Sequence, residues 1–142
     1  MKIPGKEQGG RLLRHDTVNE NILREYPAVV LAYIGDAVFE LLVRTHIVTA
    51  GPRKVSDIHH DTVELVKAQT QARLTRQLYH ELSEAEQDIV RRGRNAKSTP
   101  PRHADPEDYQ LSTGFEALLG YLYLKGDEER LLYLVNQALL EF

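Results

Sequence analysis

Two apolar segments with glycines set among their large side chains constrain this chain most. The first is Leu31-Ala-Tyr-Ile-Gly-Asp-Ala-Val-Phe-Glu-Leu41, inside a helix-type periodicity from Ala28 to about Thr49. Pro27 suits the first turn of that helix, and Gly51-Pro52 stops it. The second is Thr113-Gly-Phe-Glu-Ala-Leu-Leu-Gly-Tyr-Leu-Tyr-Leu124, in a helix expected from about Glu107 to Lys125. Glycine inside a helix costs roughly 1 kcal/mol against alanine, so Gly35, Gly114 and Gly120 imply that something needs the missing side chain. The two segments are expected to pack through their glycines and bring Asp36 and Glu116 together.

Asp36 stands in the middle of an apolar run, where a carboxylate is expected to lose water and to need compensation. It can be protonated, paired with a cation such as Arg44 or a histidine, or used as a metal ligand. Glu116 alone reads as an ordinary helical glutamate; the pair matters more than either member. Two clustered carboxylates in a crevice are hard-cation ligands, and Mg²⁺ is the usual occupant. Glu40 lies one turn after Asp36 on the same face, as a supporting partner of the site or as a plain surface residue.

A chain of 142 residues suffices for one domain with a real core. Hydrophobic content of 42% and charged content of 27% are those of an ordinary globular protein. No apolar run reaches the ~18 residues of a membrane span. The polar start, Met1 to Gly10, reads as lacking a signal-peptide core, and residues 1–20 as a mobile segment ahead of a domain at 21–142. The absence of cysteine excludes disulfides and thiolate metal sites, and the cytoplasm is the expected compartment.

The remaining helices are expected from Ser56 or Asp57 through Leu78, from a capping box at Ser83-Glu-Ala-Glu86 to about Arg92, and from Glu128 to Leu140. Val63, Val66, Leu74 and Leu78 fit one stripe only loosely. No segment alternates as a strand would, so the fold class is all-α, one domain.

The net charge is −3, yet Ile89 to Ala104 contains no acid and holds Arg91, Arg92, Arg94, Lys97 and Arg102. Arg91-Arg-Gly-Arg-Asn-Ala-Lys-Ser98 is either a solvated basic helix end or a contact for nucleic-acid phosphates and 2′-hydroxyls, with Arg94, Asn95 and Lys97 as the candidate RNA-binding residues. The histidines show no zinc-ligand spacing, and no phosphate-cradling glycine loop or serine-nucleophile elbow occurs.

Leu31 to Glu40 resembles the signature of the ribonuclease III catalytic domain, and Phe115 to Leu124 resembles that family's second carboxylate helix. Arg92-Gly-Arg-Asn-Ala-Lys-Ser98 and the lack of a further domain resemble its small bacterial Mini-ribonuclease III branch. The likeness covers roughly residues 28–140. It implies an all-helical homodimeric endonuclease that cuts double-stranded RNA with Mg²⁺ and trims large-subunit ribosomal RNA precursor. It also implies that Asp36 is the catalytic and metal-binding aspartate and Glu116 the metal-binding glutamate. A ribosomal protein on the precursor is a candidate partner.

Two positions depart from the wider family's pattern. Its usual glutamate four residues before the aspartate is Ala32, and its usual aspartate three residues before the second glutamate is Thr113. Fewer carboxylates mean weaker neutralisation of Mg²⁺ and more coordinating water. The loss favours the main alternative, a catalytically silent RNA-binding assembly factor; the retained Asp36 and Glu116 favour the enzyme. A helical phosphohydrolase acting on nucleotides is a further alternative, but His60-Asp61 lacks the companion ligands it would need.

Overall fold

The computed structural model describes residues 16–140, whose regular elements are all helices, with no strand among them. The helices are α1 (Glu20–Glu25), α2 (Ala28–Thr49), α3 (Val55–Val66), α4 (Ala68–Leu78), α5 (Glu84–Asn95), α6 (Pro106–Lys125) and α7 (Glu128–Leu139). A 3-10 turn, Tyr79–Glu81, follows α4.

α6 is the axis of the fold. Nearly every residue from Ser112 to Leu122 is buried, and α2, α4 and α5 pack around it. A helix apolar on all sides can exist in water only when enclosed in this way. Asp105 starts it by accepting from the backbone of Glu107 and Asp108, and Pro106 fills a first-turn position that needs no donor.

α2 runs antiparallel to α6, and the two backbones touch. A Cβ added at Gly35 would lie 1.7 Å from Glu116 O, and one added at Gly120 would lie 1.9 Å from Leu31 O. No side chain fits at either place. Phe39 and Phe115 close the seam beyond them, edge to face at 5.5 Å. α5 crosses α6 in the same manner, where a Cβ on Gly93 would lie 2.6 Å from Gly114 Cα.

The expected helix from Ser56 to Leu78 is two helices. Lys67 adopts extended backbone between α3 and α4. No glycine or proline marks the break; side chains do. Thr70 Oγ1 donates to Glu64 O at 2.7 Å, and Gln71 Nε2 donates to Val66 O at 3.1 Å, so the last carbonyls of α3 find partners outside the helix. α5 also extends to Asn95, past the end expected at Arg92. Its capping box is present, with Ser83 and Glu86 satisfying each other's backbone.

Of the segment expected to be mobile, residues 1–15 lie outside the described residues. Val18 N donates to Leu124 O at 2.9 Å. Asn19 caps the short α1, Leu23 is fully buried, and Tyr121 donates its hydroxyl to Glu20 at 2.7 Å.

The glycine seam yields a sign test. Gly→Ala in an open helix would gain about 1 kcal/mol. Gly35→Ala and Gly120→Ala must instead force α2 from α6, and overpacking of this kind costs roughly 1–3 kcal/mol or more. Urea unfolding of either variant is expected to show a loss of stability; a gain would mean that the backbones are not in contact.

Candidate active site

The seam places the carboxylate pair. Gly35 rests on Glu116 O, so Asp36 on α2 and Glu116 on α6 come side by side. Glu116 is half-buried, and its pKa is raised to about 8. Burial is the largest cause, because the ion loses water; the hydrogen bond and negative charge of Asp36 add to it, and a hydrogen bond from Gln71 opposes it.

Asp36 differs from its expectation. It is exposed, not buried, because α2 turns only one face to the core. Leu31, Gly35, Val38 and Phe39 are buried, while Val30, Tyr33, Asp36, Ala37 and Leu41 face outward. Arg44 is not its partner, since that guanidinium pairs with Glu40. Glu40 therefore lies one turn from Asp36, engaged by Arg44. Ala32 is buried, and Thr113 donates to Tyr109 O in its own helix at 3.1 Å, so neither position offers a charge.

The donor set is oxygen only. Among the described residues no group of three or more His, Asp or Glu side chains could cage a metal. Two neighbouring acids, Asp36 exposed to water and Glu116 half-buried, fit a hard cation that keeps part of its hydration, as Mg²⁺ does. They fit no softer metal that needs nitrogen or sulfur ligands.

Sequence reasoning missed Gln71 on α4. It is 1% exposed, and its Nε2 lies 3.4 Å from Glu116 Oε2. The signal was there: Gln71 shares the helical stripe of Leu74 and Leu78, so it had to face the core.

The candidate RNA-binding residues lie at the end of α5 and just past it. Arg94, Asn95 and Lys97 are exposed, and among the described residues neither Arg94 nor Lys97 enters an ion pair. Their neighbours are committed elsewhere. Arg92 donates to Tyr26 O at 2.7 Å and ties α5 to the start of α2; Arg91 pairs with Asp88. The Gly93–Gly114 crossing sets this basic end against α6, two residues before Glu116.

The comparisons with known proteins decide the family. The Ribonuclease III domain model matches residues 29–127. The chain belongs to the ribonuclease III family. It is 52% identical over 113 residues to a Mini-ribonuclease 3 of Thermoanaerobacter sp., covering 79% of each chain. It is 48% identical over 113 residues to that of Symbiobacterium thermophilum, covering 79% of this chain and 87% of the relative. A crystal structure of a protein from Fusobacterium nucleatum superposes with a TM-score of 0.77 at 28% identity, covering 85% of this chain and 97% of the other. This is a ribonuclease III fold of the Mini-ribonuclease branch, and the chain is an endoribonuclease.

The raised pKa of Glu116 carries a stability consequence. Its carboxyl ionises at about 8 in the folded protein and near 4.5 when unfolded. Between these values the folded state binds more protons, so stability falls as pH rises. Thermal unfolding in EDTA is expected to give a lower Tm at pH 8 than at pH 5.5. Glu116→Gln, which keeps the shape without the charge, should flatten this trend and melt above wild type at pH 8. A wild-type Tm that rises across the interval would contradict the burial of this acid.

Proposed function

We propose that the chain hydrolyses double-stranded RNA with Mg²⁺ held by Asp36 and Glu116, as a homodimer that matures large-subunit ribosomal RNA precursor in the cytoplasm. The observation that carries this reading is the backbone contact of Gly35 with Glu116, which brings two acids together so that Asp36 helps to raise the pKa of Glu116. Such a pair is costly until a divalent ion neutralises it.

Mg²⁺ bound there would supply the positive charge that offsets the scissile phosphate and eases deprotonation of water. The chain's part is to fix the two carboxylates. Glu116 is set by α6 and by the amide of Gln71, and Asp36 sits at the open edge, where an RNA phosphate can approach. Arg94 and Lys97 are placed to hold the backbone of a duplex by charge, and Asn95 to reach its oxygens as an amide. Recognition of this kind reads A-form shape more than sequence.

The outward stripe of α2 supports the dimer. Val30, Tyr33, Ala37, Leu41 and Val48 follow one another at helical spacing, and Tyr33 is 82% exposed. An exposed apolar stripe of this length, interrupted by Arg44 and Thr45 before Val48, marks an association surface. A twofold through it would face two sites toward one duplex, one for each strand. The exposed basic surface also leaves a ribosomal protein bound on the precursor as a candidate partner.

The test is a long RNA duplex incubated with purified protein. Cleavage is expected with Mg²⁺ and not with EDTA. Asp36→Asn should abolish it with fold and oligomeric state retained, and Glu116→Gln should raise the Mg²⁺ needed. In Ca²⁺, used to suppress cleavage, Arg94→Ala with Lys97→Ala should weaken duplex binding and flatten its salt dependence, by a slope of ~0.9 per lost contact on the B-DNA scale. Duplex binding without cleavage by the wild type would favour the silent assembly factor, and full turnover by Asp36→Asn would remove Asp36 from the site.

A further inference from the structure

Gln71 carries the one buried side-chain polar atom among the described residues that has no hydrogen-bond partner, its Oε1. The orientation of the amide is fixed by its surroundings. Val66 O can only accept, so the nitrogen must face it, at 3.1 Å. The second hydrogen of that nitrogen points to Glu116 Oε2 at 3.4 Å. Both donors are thereby used, and the oxygen on the same carbon is left bare in a side chain 1% exposed. A buried acceptor without a donor is costly, so a native fold retains one where something arrives to fill it.

What arrives must be a donor, and it must come within reach of an amide whose nitrogen lies 3.4 Å from Glu116 Oε2. The other carboxylate there, Asp36, is an acceptor. A water of a hydrated cation meets both conditions: the cation sits on the carboxylates, and its water donates outward to the amide oxygen. A site with only two carboxylates leaves much of the ion's shell as water, and such waters need acceptors around them.

We propose that Gln71 is a positioning residue of the cation site: its Nε2 holds Glu116 in place and its Oε1 accepts from a water of the bound cation. This rests on the reading of Asp36 and Glu116 as the cation ligands. A residue that serves only to finish α3 through Val66 O would matter to folding and not to the ion. Partners of this kind, one layer out from the metal, typically change metal affinity 10–100-fold when removed.

The experiment measures Mn²⁺ binding to RNA-free protein by electron paramagnetic resonance, with Mn²⁺ as the probe for Mg²⁺. Gln71→Met has nearly the same volume and cannot hydrogen-bond the water or Glu116. Its Mn²⁺ dissociation constant is expected to rise at least tenfold, and the Mg²⁺ concentration for half-maximal cleavage should rise in parallel. Gln71→Leu, which likewise offers neither donor nor acceptor, is expected to lose Mn²⁺ affinity to the same extent. Wild-type Mn²⁺ affinity in Gln71→Met, with only its Tm lowered, would overturn the proposal and leave Gln71 a helix cap. Should Gln71→Met not fold, Gln71→Leu decides alone, and wild-type Mn²⁺ affinity there would overturn it. Asp36→Asn separates the two layers: if it binds Mn²⁺ like wild type, the cation site itself is misplaced, whatever Gln71 does.

Discussion

The contact of α2 with α6 through bare backbone governs this protein. Gly35 against Glu116 O and Gly120 against Leu31 O bring the helices closer than any side chain would permit. Close approach lets Phe39 meet Phe115 and encloses α6, and it also sets two acids side by side. The packing that stabilises the core therefore creates the electrostatic cost at the site. The apolar burial of α6 offsets that cost, and a divalent cation would relieve it.

The asymmetry of the pair follows from the same geometry. α6 is surrounded, so Glu116 loses much of its water and its proton is held up to a pKa of about 8. α2 lies at the edge, so Asp36 keeps its water and faces solvent along with Tyr33 and Ala37. One acid is anchored and the other is accessible. The proposed cation site would use that division, the inner acid setting the position of an ion and the outer one meeting the substrate.

Much of this was legible in the sequence, for identifiable reasons. Glycines among large apolar residues announce a close backbone approach, and an acid beside each announced the pair. The capping box at Ser83 is local chemistry, readable without a fold. The break at Lys67 was not legible, because it depends on Thr70 and Gln71 reaching back to carbonyls of α3 and not on a glycine or proline. α1 is six residues long, too short for periodicity to show. The exposure of Asp36 was misjudged since a continuous apolar run gives no sign of which face stays outside; here Val30, Tyr33 and Leu41 stay outside too. Gln71 escaped notice because a glutamine in a polar stretch has no motif of its own, although its register with Leu74 and Leu78 placed it inward.

The central claim is that the glycine seam builds a cation site whose inner acid must lose a proton to be occupied. The most direct measurement is proton release on Mg²⁺ binding, by titration calorimetry at pH 7 in buffers of different ionisation enthalpy. With Glu116 protonated below about 8, binding is expected to release about 1 proton per ion, to release fewer as pH rises past that value, and to release none in Glu116→Gln. Mg²⁺ binding at pH 7 without proton release, or the same release from Glu116→Gln, would contradict it.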